Sequence, residues 1–428
     1  MNLTKTGNTN PLRTLSFLGI ISALAAGVWL GSAEAPTLLV KVGVSPFVVT
    51  GAFVIGVFVA RWTLPTMVKG TSYVFTDIGK TKHLIIWGIL AGALWGVANT
   101  LTVFAIKDVG LVIAFPIWNS NCVIGLIWGI ILFNELRGAK KKQWIRVIGG
   151  VIAVVVAMII LAAATTATGV TTGIAFHGLL AAIGAGLLWG TMYIPYRKAY
   201  LSGMNPLSFV TIFTVGEVIT VLLLGVIFLG GTAFVDAIVF AGHLLFWIVL
   251  GGAFWVVGDL FQQFAAKYIG IGRGIPLANT NQLWGLAWSA LVFMTLKGLG
   301  AGTIVAIIGG SIIMIAGAGL ISSAEPETDE RKFWDKAIDK ECKRYNLDKK
   351  FVTDTVDGKD PLAETVKGYR WWDAVIVIAA VAVFVVLACF AVAPSMPVNM
   401  YWFVVLLVVC LFSMVWVGWL LKKHTNFS

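Results

Sequence analysis

Charge is scarce in this chain. Asp, Glu, Lys and Arg make up 12% of its 428 residues, about half the ~25% of an ordinary soluble domain. A chain so poor in ionic groups cannot cover itself with a hydrated surface, which excludes a soluble globular protein. Cysteine is scarce too. Cys122, Cys342, Cys389 and Cys410 show no spacing suited to a metal or a disulfide framework. No glycine-rich phosphate loop, zinc motif or nucleophile elbow is visible. The sequence therefore argues against an enzyme and implies no cofactor.

What remains is apolar. Hydrophobic residues make up 59% of the chain, with 47 glycines and 18 tryptophans. Small residues let membrane helices approach closely, and Trp anchors them at the interface. A spanning helix needs ~20 apolar residues at 1.5 Å rise. Runs of that kind fall at 14–34, 45–65, 83–105, 110–133, 144–164, 173–195, 206–229, 243–265, 272–295 and 303–321. Two more, 373–393 and 400–421, follow a charged stretch. The expectation is an all-α integral membrane protein with the lipid bilayer as its solvent.

The first run admits a rival reading, because Ala33-Glu34-Ala35 resembles a signal-peptidase site. Pro36 would hinder that cut, and the segment has a later counterpart. Gly27, Gly31 and Pro36 match Gly186, Gly190 and Pro195. The run is therefore kept as a helix of the mature chain.

The net charge of +11 could suggest nucleic acid, but the basic residues lie in short loops between apolar runs, where they set orientation. Alternate loops hold Arg61, Lys69, Lys80 and Lys82, then Arg137 to Arg146, Arg197 and Lys198, and Lys267 and Arg273. The opposite loops hold only Lys41, Lys107 and Lys297. By the positive-inside rule both termini are cytoplasmic, in a cell inner membrane. That needs an even number of spans.

The strongest signal is self-similarity. His83 begins HLIIWGILAGALWGVANTLTVFAIKDVG, and His243 begins HLLFWIVLGGAFWVVGDLFQQFAAKYIG, an offset of 160. The offset aligns Trp95 with Trp255, Gly110 with Gly270 and Pro116 with Pro276. It also aligns Asn119-Ser120-Asn121 with Asn279-Thr280-Asn281. Five runs per copy make the second copy enter the membrane from the opposite side. Inverted repeats of this kind recur in transporters, with the solute held near the midplane. The units expected are 1–164 and 165–321, then a charged segment 322–371 and an extra hairpin 372–428.

Asn119 and Asn121 lie ~14–17 Å along their run at 1.5 Å per residue, and Asn279 and Asn281 reach the same depth from the other side. Their amides donate and accept, which suits a small polar solute such as a sugar. Two residues turn ~200° about a helix, so both members of a pair reach one cavity only if the helix is distorted. Pro116 and Pro276 could supply that distortion. The competing role is hydrogen bonding between helices. Trp255, Asp259, Gln262 and Gln263 form one face of the eighth run, and Trp95 and Asn99 stand at the matching positions of the third. Candidate solute contacts are thus the four asparagines, Trp95, Asn99, Trp255 and Gln262. Asp259 and Glu217 are the candidate sites for a coupling proton or sodium ion, since a membrane carboxyl must be protonated, paired or wetted. Glu34, nearer the outer interface, is expected to be exposed.

The pattern of five plus five inverted helices, with LIWGIILFNELRG (126–138) ending in Phe133 and Glu135, resembles the drug/metabolite transporter superfamily. IAFPIWNSNCVIGLIWG (113–129) and its copy GIPLANTNQLWGLAWS (274–289) are similar to its glucose/ribose/rhamnose uptake branch. The resemblance implies secondary transport, commonly proton-linked sugar uptake. Thr295 stands where Glu135 would recur, so symmetry is broken there. An exporter of drugs or metabolites and a non-transport scaffold or sensor stay open beside uptake. Residues 331–351 read as an amphipathic helix, and the final hairpin could brace the carrier or pair it into a homodimer.

Overall fold

The computed structural model describes residues 11–136, 138–165, 170–324, 330–363, 365–366, 368–393 and 397–428. All regular structure among them is helical. The first half holds α1 (Pro11–Ala33), α2 (Pro46–Lys69), α3 (Thr71–Lys80), α4 (Leu84–Val109), α5 (Leu111–Trp118), α6 (Asn121–Phe133) and α7 (Lys141–Thr165). The second holds α8 (Thr172–Leu201), α9 (Pro206–Leu229), α10 (Gly231–Phe240), α11 (Leu245–Ile269), α12 (Ile271–Ala278), α13 (Asn281–Ala287) and α14 (Ala301–Ser322). After these come α15 (Glu330–Tyr345), α16 (Lys349–Val356), α17 (Trp371–Cys389) and α18 (Met400–Thr425).

Eleven helical segments among the described residues are long and apolar enough to cross a membrane. Ile86, Ile227 and Val305 on their flanks are 72%, 69% and 70% exposed, as side chains facing lipid rather than water would be. The chain is a multi-pass membrane protein. The expected ninth run, 272–295, is not among the eleven. It forms α12, α13 and a π-helical turn at Trp288–Val292. Arg273 and the two asparagines lower its hydropathy.

Helix ends repeat with the same offset. Pro46 and Pro206 sit at the first turns of α2 and α9, where a missing N–H costs nothing. Gly70, Gly110, Gly230 and Gly270 close α2, α4, α9 and α11 with φ of 79°, 81°, 83° and 80°, a conformation open to glycine.

Close crossings repeat as well. A Cβ on Gly56 of α2 would lie 1.9 Å from the Val249 carbonyl oxygen of α11. Its counterpart on Gly216 of α9 would lie 2.1 Å from that of Ile89 in α4. Likewise Gly92 would meet the Phe213 oxygen at 2.0 Å, and Gly252 the Phe53 oxygen at 2.0 Å. Adding 160 to one member of each pair and subtracting it from the other gives the second pair. Backbone therefore lies against backbone at these four points, and only glycine permits it.

The amphipathic stretch departs from a single helix. Asn346, with φ of 50°, ends α15, and Asp348 caps α16 by accepting from the Lys350 N–H at 2.9 Å. Ile338 is buried as expected of its apolar face. The side chains of Phe333 and Trp334 lie outside the described residues.

Candidate functional site

The two helix breaks build the centre of the molecule. Pro116 lacks an N–H, and the helix then tightens: the Ser120 N–H reaches the Ile117 oxygen at 3.1 Å and that of Cys122 reaches Asn119 at 3.3 Å. The second copy repeats this with Thr280 to Leu277 at 3.4 Å and Gln282 to Asn279 at 3.3 Å. These turns lie between α5 and α6 and between α12 and α13. They are the distortion that two asparagines per break require.

All four asparagines are buried and meet one another. Asn119 Nδ2 donates to Asn281 Oδ1 at 2.7 Å. Asn279 Nδ2 donates to the Asn119 carbonyl oxygen at 2.7 Å and to Asn121 Oδ1 at 3.0 Å. Asn121 Nδ2 points at the Tyr193 hydroxyl, 3.3 Å away. Bonding between helices is thus part of their role. Spare capacity remains, because Asn119 Oδ1 and Asn279 Oδ1 have no donor among the described residues.

Beside this ring lies a cavity of about 10 Å³, room for about one water. Asn121, Asn279, Asn281, Trp255 and Gln262 line it, together with Glu34, Leu30, Phe115, Trp189, Met192 and Tyr193. Asn119, Trp95 and Asn99 are buried outside that lining. Trp95 packs edge-on against Trp255, with ring centroids 5.0 Å apart. Neither amide atom of Asn99 has a partner among the described residues.

Glu34 corrects an expectation. It is 2% exposed, not solvated. The chain does not leave α1 for water. It turns into a short 3₁₀ helix, Ala35–Val42, which packs on α4 and α11 and holds Glu34 inward. The Thr37 hydroxyl donates to the Glu34 backbone oxygen at 2.5 Å.

The two candidate coupling acids share a partner that the sequence did not reveal. Arg61 of α2 is fully buried, with NH1 2.9 Å from Glu217 Oε1 and NH2 2.7 Å from Asp259 Oδ2. Its guanidinium lies 4.0 Å from the Phe213 ring centroid. Counted by sequence as a loop charge, Arg61 is instead an internal cation held by carboxylates from two distant helices. Asp259 also accepts from the Tyr196 hydroxyl at 2.9 Å and from Gln263 Nε2 at 2.6 Å. Glu217 meets Arg61 and the Thr214 side chain, and neither of its oxygens has a hydrogen-bond partner in good geometry among the described residues. Buried charges need pairing, and here one cation faces two acids.

Other basic residues assigned to loops are also enclosed. Arg197, Lys198 and Lys267 are 2%, 8% and 1% exposed. Lys198 pairs with Glu341 of α15 at 3.1 Å. Asp360 accepts from Lys69 and from the Tyr73 hydroxyl, which joins the charged segment to α2 and α3. Burial pushes the nearby Asp77 carboxyl up to about 6.

Glu135 follows α6, and its carboxylate accepts from the backbone N–H groups of Ile271 at 3.2 Å and Gly272 at 2.7 Å. It thereby caps the start of α12, where the helix dipole favours an anion. Thr295, the matching residue, turns back on Ser289 instead.

Comparison with known proteins agrees with this picture over part of the chain. Residues 37–164 match the family described as "Sugar transport protein". A Streptococcus agalactiae protein, "Putative sugar uptake protein SAG2157", is 30% identical over 64 residues, 15% of this chain and 22% of that one. A like-named Streptococcus pyogenes serotype M1 protein is 31% identical over 72 residues, 17% of this chain and 24% of that one. The Dictyostelium discoideum "Transmembrane protein 144 homolog B" is 25% identical over 133 residues, 29% of this chain and 35% of its own length. The chain thus covers between about a fifth and about a third of these relatives' length.

Proposed function

We propose that this protein is a secondary carrier of a small polar solute, sugar foremost, driven by a proton gradient through alternating access. The observation that carries this reading is the amide ring. Two helix breaks 160 residues apart bring four asparagines together inside a membrane protein and leave two of their carbonyl oxygens unused. Such groups, with aromatic rings beside them, suit hydroxyls and the apolar face of a sugar. The sugar transport match over residues 37–164 supports the same solute class.

A cavity of about 10 Å³ cannot hold a sugar, so this conformation is an occluded one and the helices part to admit solute. In this reading the moving bodies are 1–164 and 165–321, the termini are cytoplasmic, and the membrane is the cell inner membrane. The backbone-to-backbone crossings at glycine are where the bodies pivot.

Coupling follows from the charge count. Arg61 with Glu217 and Asp259 carries a net charge of −1 when all are ionised. One proton neutralises the cluster. Asp259 is held by three donor groups, so Glu217 is the group that takes the proton, with Asp259 as its fixed counterpart. Solute binding and proton binding then favour the same closure, which is what gradient-driven uptake requires.

Purified protein in proteoliposomes tests this. Uptake of a radiolabelled sugar is expected to rise with an inward proton gradient and not with a sodium gradient. Glu217→Gln is expected to abolish accumulation against a gradient while keeping equilibrium exchange. Full accumulation in that variant removes Glu217 from coupling, and a sodium response replaces the proton.

A further inference from the structure

We infer that the cavity selects a solute bearing a positive charge beside its hydroxyls, with Glu34 as the counter-charge. This deepens the carrier reading and rests on it. Glu34 lines the cavity, is 2% exposed, and its Oε2 has no hydrogen-bond partner among the described residues. No lysine, arginine or histidine is among the lining residues. Arg61, which pairs with Glu217 and Asp259, is not there either. The Thr37 hydroxyl, a neutral group, donates to the Glu34 backbone oxygen and supplies no counter-charge.

The remaining walls match a cation as well. Phe115, Trp189, Tyr193 and Trp255 present aromatic rings to the cavity, and ring faces attract cations most where water is excluded. Asn279 Oδ1 is a further acceptor without a donor among the described residues. These two buried oxygens, on Glu34 and Asn279, call for N–H or O–H groups on the solute. Beside a neutral polyol Glu34 has to stay protonated, whereas a cationic solute pairs with its carboxylate. An anion is repelled. A protonated amine beside hydroxyls, as in a 2-amino-2-deoxy sugar, answers all three features at once.

The test is calorimetric binding to the full chain in lipid nanodiscs. The probes are 2-amino-2-deoxy-D-glucose, D-glucose and the N-acetylated amine, which keeps the size but loses the charge. A hydrogen bond to a charged group contributes about 1.5–3 kcal/mol, so the amine is expected to bind about tenfold or more tightly than either neutral probe. Glu34→Gln is expected to bring the amine-to-glucose ratio to about one. Gln262→Glu places a second acid in the same wall, outside the bonds of the amide ring, and is expected to raise the ratio; it serves even where Glu34→Gln does not fold. Equal binding of the three probes by the native chain overturns the inference. So does a preference that survives in Glu34→Gln, or one that Gln262→Glu fails to increase. Glucose binding without an amine preference leaves the carrier reading in place. Amine binding without accumulation in vesicles removes the carrier reading and keeps the cavity's charge preference.

Discussion

The two copies of the repeat agree at the centre and part company around it. Asn119-Ser120-Asn121 and Asn279-Thr280-Asn281 occupy equivalent turns and bond each other, and the glycine crossings exchange under the offset. The charged chemistry follows no such rule. Arg61 stands opposite Val221, Glu217 opposite Val57, and Asp259 opposite Asn99. Glu135 fastens the start of α12, while Thr295 leaves α5 unfastened. Under the carrier proposal, the repeated part supplies the container and the unpaired residues give it a direction. A solute site can be symmetric, since the solute enters and leaves by the same contacts. A coupling site cannot, because the ion must bias one half of the cycle.

Three pairs of substitutions sharpen that contrast. Arg61→Ala leaves two buried carboxylates without their cation, and breaking a buried pair costs about 3–5 kcal/mol. Loss of folded protein is expected, read as the fraction that is monodisperse on size exclusion. The mirror change, Val221→Ala, is expected to cost about 1 kcal/mol, and a similar loss in both would mean that the cluster is not the asymmetric element. Gly92→Ala and Gly252→Ala test the symmetric part. Each forces a Cβ to within 2.0 Å of a carbonyl oxygen, and overpacking costs about 1–3 kcal/mol. The two are expected to lower the unfolding temperature by equal amounts; a large difference breaks the equivalence of the crossings. The smallest effect belongs to the fastening. Glu135→Gln weakens a charge at a helix start by about 1 kcal/mol, whereas Thr295→Val is expected to fall within about 0.5 kcal/mol. Thermal unfolding of both in one detergent decides it.

Much of this was legible in the residues. Apolar run length located the helices, and the offset of 160 located the amide ring, because asparagine, proline and glycine keep their identity wherever geometry demands them. The break at Asn346 was missed, because residues 331–351 read as one amphipathic helix and a single asparagine in the left-handed backbone carries no periodic signal. Arg61 was not legible. An arginine toward the end of an apolar run looks like a loop charge, and its partners lie 156 and 198 positions away with no periodic link to it. Glu34 was misread because burial at the end of a helix depends on where the next turn goes, and the 3₁₀ segment after it turns inward.

Arg61 also has a consequence for how the molecule is made. α2 emerges from the ribosome well before Glu217 and Asp259 exist. Until then its guanidinium stands in hydrocarbon, at a cost of roughly 2.5–3.5 kcal/mol on insertion scales, or reaches back to the headgroups. The first half is thus born with a charge only the second can answer. A fragment ending after α7 would therefore carry Arg61 without either of the carboxylates that pair with it in the full fold.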